Sequence, residues 1–278
     1  MAAEQASLPD FERPPVVEVA LSIQFEAIAD LRAIQLGALW GEFRERYPRA
    51  EEQAPLEPVF EEFGLPAPMR PRIRLERIPP VPRCWFTTED STHLLQVQQD
   101  RIVHNWRRGE GSGVYPRYKV LRDVFRQEID SFVGFLSREG LGELRPNQCE
   151  VTYINEIAAD TPVQGHARLE KLLTVWRAEY SDGFLPEPSD VHTTARYSIP
   201  GDDGTPVGRL NVIAKAAYRA DDNTPVVILE LTARGKPVGD GIEGGFRFLD
   251  IGHEWVVRGF ASITTPIMHS YWGRSDDH

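Results

Sequence analysis

Residues 246–274, FRFLDIGHEWVVRGFASITTPIMHSYWGR, read as a long amphipathic helix followed by a short one near the end of the chain. Residues 118–136, YKVLRDVFRQEIDSFVGFL, echo the start of that stretch at a shift of 128. Tyr118 then falls on Phe246, Leu121 on Leu249, Ile129 on Val257 and Phe132 on Phe260. Steps of three, eight and three put these positions on one face of a 3.6-residue helix. The two stretches are read as the closing helices of two copies of one unit, each lying on a sheet.

The elements before each helix follow the same order. In the first half, Pro14-Pro15 opens a run in which Val17, Val19, Leu21, Ile23 and Phe25 alternate with Glu18, Ala20, Ser22 and Gln24. That is the pattern of a half-buried strand. A helix is expected over 31–47, with Leu36, Leu39, Trp40 and Phe43 on one face and Pro48 as its stop. Residues 48–69, rich in Glu and Pro, read as a long irregular connection. Strands are expected over 69–78, 84–88, 93–98 and 101–107, joined as an antiparallel meander. The loop RRGEGSG leads into the first long helix, which should stop at Gly140 or Gly142.

In the second half, Pro146 stands four residues before Glu150 as Pro14 stands before Glu18. A strand, a helix over 167–180 (Leu169, Leu172, Leu173, Trp176) and strands near 191–199, 207–218 and 226–234 follow. The loop GKPVGDGIEGG leads to the closing helix, and Thr265-Pro266 starts the last short one. The expected class is α+β: a duplicated strand–helix–antiparallel strands–helix unit with a pseudo-twofold axis, its helices on one face of antiparallel sheet. The divisions are a flexible N-terminus (1–13), a first repeat (14–142), a second repeat (143–274) and a tail (275–278). The order resembles the duplicated saddle of TATA-box-binding proteins in topology alone.

With 278 residues, 41% hydrophobic and 26% charged, the chain can bury a sizeable core. The net charge of −11 is shared by the two halves, which disfavours nucleic acid as a partner. No run approaches the ~18 apolar residues of a membrane span, and the first residues lack a signal-peptide pattern, so a cytoplasmic setting is expected. Cys84 and Cys149 are too few for a disulfide framework or a zinc site.

Four motifs carry a family resemblance: PPVVEVALSIQF, LLQVQQDRIVHNWR, PNQCEVTYINEI and TTPIMHSYWGR. Together they resemble an uncharacterised, sporadically distributed prokaryotic family over most of residues 14–274. The patchy distribution of that family implies mobile or conflict-related loci, such as toxin–antitoxin or phage-defence islands. It implies no particular reaction.

Several residues are candidates for function. Glu18 and Glu150 hold matching places in the two repeats; they could converge as an acid/base pair or to bind a metal, or simply pair with arginines on neighbouring strands. Arg107 and Arg234 end the last strand of each repeat, beside glycine-rich loops that could hold an anion. Asp240 and Glu243 oppose that role in the second loop. Arg70, Arg72 and Arg74 alternate along one strand face as the one concentrated basic patch. Aromatic–polar clusters stand at Asn105-Trp106-Arg107, Tyr115-Pro116-Arg117-Tyr118, Tyr153-Ile154-Asn155 and Tyr271-Trp272-Gly273-Arg274. His253-Glu254 fails as a zinc motif, because Val257 stands where a second histidine would be needed.

No nucleophile elbow, phosphate loop or clustered metal ligands occur, so no cofactor and no metal are expected. The expectation is a non-catalytic interaction or sensing module with a protein partner (or self-association), accessory or antitoxin-like. The alternative is a small-molecule or nucleotide-binding protein, enzymatic or not, with its site between the repeats, where Glu18, Glu150, Arg107 and Arg234 would meet.

Overall fold

Pro14 and Pro15 precede the strand that becomes the middle of the sheet. The computed structural model describes residues 7–63, 80–109, 114–158, 161–163, 168–177, 179 and 181–275. In chain order the elements begin with β1 (Asp10–Phe11), β2 (Val16–Phe25), α1 (Ala33–Phe43), β3 (Arg49–Gln53) and β4 (Arg83–Thr87). Next come β5 (His93–Gln98), β6 (Arg101–Arg107), α2 (Tyr118–Arg138), β7 (Pro146–Ala158) and α3 (Leu169–Leu172). The chain continues through β8 (Thr193–Pro200), β9 (Pro206–Tyr218), β10 (Pro225–Gly235), α4 (Gly241–Ile263), α5 (Pro266–Trp272) and β11 (Arg274–Ser275).

Nine strands form one antiparallel sheet in the order β3-β4-β5-β6-β2-β7-β10-β9-β8. With both helices and this large antiparallel sheet, the fold is α+β. β2 and β7, the first long strand of each half, pair at its centre, with Ala20 opposite Thr152 and Ser22 opposite Glu150. Outward from that pair, each side places the last strand of its half first: β6 on one side, β10 on the other.

Alternation sorts each strand into two faces. On one, Val19, Leu21, Ile23, Phe25, Val151 and Tyr153 meet apolar residues of α2 and α4: Phe25 packs on Phe132, and Gly245 comes close to Ile23 and Cys149. Gly252 lets the α4 backbone approach, since a Cβ there would lie 3.2 Å from Val151 and 3.3 Å from Ala233. The other face carries Glu18, Ser22, Gln24, Gln96, Gln98, Arg101, Asn105, Gln148, Glu150 and Arg234. It is mostly polar, with Leu94, Val103, Ile154 and Ile228 among its apolar members.

Three expectations change. Residues 49–53, read as irregular, form β3 on the sheet edge against β4. Its sequence, RAEEQ, is nearly all exposed and has no apolar alternation to betray it. The helix expected over 167–180 is one turn, Leu169–Leu172; Leu173 is extended and bridges to Thr264. Its neighbours bond the α4–α5 junction instead, Thr174 N–H to the Ile263 carbonyl and Thr265 N–H to that of Leu172, so helical bonds there are forgone. Within the expected flexible N-terminus, β1 pairs with β11, and Phe11 is buried against Phe260 and Trp272. The strand expected at 69–78, with Arg70, Arg72 and Arg74, lies outside the described residues.

Candidate functional site

A cavity of about 370 Å³ lies where the two halves meet, on the face of the sheet that carries α4. Its floor is Tyr153 and Asn155 of β7 with Leu231 of β10; its walls come from the start of α2 and from Val256, Val257 and Phe260 of α4. The N-terminal segment with Leu8 and Phe11 also lines it. Most of this lining is apolar; Asp10, Arg117, Lys119 and Asn155 add charge and polarity, and Tyr115, Tyr153 and His253 meet in one place.

Tyr153 is the centre of that place. As a polar tip on the core face of a strand, it needs buried partners. The Tyr115 hydroxyl stands 2.6 Å from the Tyr153 hydroxyl, and His253 Nδ1 stands 3.1 Å away on the other side. Burial pushes the Tyr115 and Tyr153 phenols well above their ordinary range and holds His253 down at about 4, against the pull of Asp250. All three are therefore neutral near pH 7. Three neutral groups bring three protons, and two hydrogen bonds use two of them. One proton remains to be donated: from His253 Nε2 at one end, from the Tyr115 hydroxyl at the other, or from Tyr153 itself when it accepts from both neighbours. The arrangement suits a ligand with one acceptor atom, and it lacks the lowered phenol pKa of a base.

Around it the two long helices are clamped. The Tyr118 hydroxyl donates to Asp250 Oδ1 over 2.8 Å, and Arg122 grips both oxygens of Asp250 at 2.6 and 2.9 Å. Arg117, beside the cavity, has φ +70° and ψ 151°, a region costly for any residue but glycine. Its guanidinium is ion-paired with Asp10 and bonds the Phe11 carbonyl, tying the N-terminal segment to the start of α2.

A second, more polar depression of about 630 Å³ adjoins it and is lined by Arg13, Arg108, Arg117, Arg219 and Tyr271. Here the C-terminal cluster finds its place. Trp272 is buried, half-exposed Tyr271 accepts a bond from Arg13 through its carbonyl, and Arg274 stands 3.1 Å from His269. Trp106 is buried against Tyr115, its ring centroid 5.4 Å away.

The four residues expected to converge lie on the opposite face of the sheet, as two separate cross-strand ion pairs. Glu18 faces Arg107, 3.3 Å apart, and Glu150 holds the Arg234 guanidinium. Ser22, not Glu18, stands opposite Glu150, so the two glutamates are four residues out of step along the central strands, roughly 13 Å. At the second glycine-rich loop, Glu243 is ion-paired with Arg126, and Arg247 bonds the Val238 carbonyl. Residues 110–113 of the first loop lie outside the described residues.

Tyr115, Arg117, Tyr118, Tyr153 and Asn155 stood in the aromatic–polar clusters of the sequence, and the fold brings them to one cavity. His253 was missed as their partner; its helical step from Leu249, Val256 and Phe260 was the available signal. Elsewhere in the core, His104 is fully buried between His93 (3.1 Å) and Glu128 (2.9 Å), and Tyr47 also bonds Glu128. Burial pushes the Cys84 and Cys149 thiols up to about 11 and about 12, which leaves them unreactive near neutrality. Among the described residues, no cluster of three His, Cys, Asp or Glu could hold a metal, and no helix is long and apolar enough to cross a membrane. Comparison with protein-family models, with curated proteins and with solved structures finds no match to this chain.

Proposed function

We propose that the protein binds a small, largely apolar molecule carrying one hydrogen-bond acceptor, in the cavity between its halves. The observation that carries this reading is the combination of an apolar 370 Å³ space with a single neutral donor chain, Tyr115–Tyr153–His253. Pockets of this make-up, apolar with a few convergent polar groups, are the usual form of ligand sites, and domain junctions are a common place for them. Burial keeps both phenols protonated, which suits them to donating a hydrogen bond to a ligand. The matching strand order on the two sides of the β2–β7 pair supports a duplicated unit with a pseudo-twofold axis at this junction.

The test is native mass spectrometry of the protein purified from its own host, paired with a Val256→Trp variant that fills the cavity. A retained small molecule, lost in Val256→Trp while the fold persists, is the expected result. If the wild type carries nothing, a panel of small acids, phenols and ketones binds nowhere, and Val256→Trp only raises the melting temperature, the cavity is a packing defect and the reading fails.

The reading as a protein-interaction module rests on a different part of the molecule. Leu56, Val59, Phe60 and Phe63 stand 37–52% exposed in one ten-residue segment, an apolar concentration suited to a partner.

A further inference from the structure

Residues 54–63, APLEPVFEEF, leave β3 and cross the polar face of the sheet, opposite the face that carries α4. They are held there by hydrogen bonds and charge. The Leu56 N–H donates to Gln98 Oε1 (3.0 Å), and Gln98 Nε2 returns a bond to the Leu56 carbonyl (2.9 Å). Arg101 donates to the Glu57 carbonyl (3.1 Å), and the Val59 N–H donates to Gln24 Oε1 (3.0 Å). Glu61 then reaches between Arg209 (3.0 Å) and Arg234 (3.7 Å), and Arg209 also bonds the Glu62 carbonyl. Strands β5, β6, β2, β10 and β9 all take part.

The segment satisfies this face incompletely. Gln148, 2% exposed, has neither its nitrogen nor its oxygen paired among the described residues, and it lines a small cavity with Arg101, Arg234 and Val59. Arg101 Nε, Arg83 Nε and Asn211 Nδ2 are buried without partners among the same residues. Four of these five unpaired atoms are donors, so a better-matched occupant would bring more acceptors.

We propose that this face is the docking surface for an extended acidic peptide of a partner protein, and that residues 54–63 are its displaceable occupant within the chain. Acidity follows from Arg83, Arg101 and Arg209 and from the leftover donors, Arg234 being already held by Glu150. Peptide chemistry follows from Gln98 and Gln24. Gln98 reads the N–H and the carbonyl of one residue together, and Gln24 accepts from a second N–H. A nucleic-acid backbone has no N–H to offer them. The surplus of donors favours a partner richer in carboxylates than the chain's own segment.

The probes are two fluorescein-labelled peptides: the sequence of residues 51–63, and the same sequence with Val59→Glu, which aims a carboxylate at Gln148 and Arg101. The proteins are the full chain and its Glu61→Arg variant, in which Arg209 and Arg234 repel the segment. Glu61→Arg is expected to bind the Val59→Glu peptide at least tenfold more tightly than the wild type does. That binding should weaken as salt rises and be lost when Gln98→Ala is added. Wild-type protein supplies a control free of folding effects: excess Val59→Glu peptide should speed hydrogen exchange at the Leu56 and Val59 amides. The proposal is overturned if those amides are unchanged and a folded Glu61→Arg variant captures neither peptide. It is equally overturned if that variant binds a twelve-nucleotide single strand more tightly than the peptide, or dimerises by exchanging residues 54–63 without capturing peptide.

Discussion

Tyr118 and His253 stack face to face, ring centroids 3.9 Å apart and planes 7° from parallel, one from each long helix. The imidazole is thus covered by one tyrosine while Nδ1 meets the hydroxyl of another, Tyr153. Burial disfavours its charged form, and Asp250 pulls the other way.

A stability change with pH follows. Burial holds His253 and His93 each at about 4, against about 6.5 for histidine in an unfolded chain. Folded-state neutrality contributes fully above pH 6.5 and is lost as pH falls toward 4, because the unfolded chain takes up these protons first. His253→Phe keeps a ring on Tyr118 and removes one of the two titrations. Urea unfolding between pH 6.5 and 4 should then show a slope shallower by about one proton, roughly 1.4 kcal/mol per pH unit. Parallel curves for the two proteins would mean that His253 titrates alike folded and unfolded.

Tyr153→Phe tests the donor chain directly. It leaves the Tyr115 hydroxyl and His253 Nδ1 without their shared partner, at a cost of about 1–3 kcal/mol for buried polar groups. With the Tyr153 hydroxyl gone, the Tyr115 and His253 protons are both free to be donated, so affinity for a ligand with two acceptors should rise relative to that for a ligand with one. An unchanged ratio of the two affinities, by calorimetry, would assign Tyr153 a structural part only.

The core cluster around Glu128 makes a contrasting prediction. Glu128 accepts from Tyr47 and His104, is 3% exposed, and lines neither the cavity between the halves nor the depression beside it. Glu128→Leu should destabilise by about 3–5 kcal/mol, as when one member of a buried pair is removed, without altering ligand binding in the folded fraction. A loss of binding at full folding would show that the cluster is coupled to the cavity.

The two long helices and the strand over 16–25 were legible because each carries a clean period of 3.6 or 2, and the strands over 93–98 and 101–107 because turn residues at 89–91 and 98–100 bound them. β3 was not, since an exposed edge strand needs no apolar side. The leucines at 169, 172 and 173 fit a helix face, yet Leu173 is drawn into a bridge with Thr264, ninety-one residues away. The site shows the same limit. Glu18 and Glu150 stood out because they match in sequence, and matching positions of the two halves end up apart, each beside its own arginine. Tyr115, Tyr153 and His253 meet only because β7 crosses to the junction between the helices. Pairing across such distances leaves no trace in local spacing.

Gly208 and Gly235 stand directly opposite each other on β9 and β10, and the fully buried ring of Phe248 enters the gap they leave. A Cβ on Gly208 would lie 2.7 Å from that ring and 2.8 Å from the Arg234 carbonyl. On Gly235 it would lie 2.3 Å from the ring and 2.3 Å from the Val207 carbonyl. Alanine ordinarily suits a strand slightly better than glycine, so propensity alone predicts a small gain at either site. Overpacking reverses the sign: Gly208→Ala should cost about 1–3 kcal/mol, and Gly235→Ala more, because carbonyl and ring must both yield further. In a Phe248→Leu background the Gly208→Ala cost should shrink, and the non-additivity in urea midpoints measures the share due to the ring. Equal costs in the two backgrounds would place the obstacle in the backbone and deny Phe248 its part in keeping these glycines.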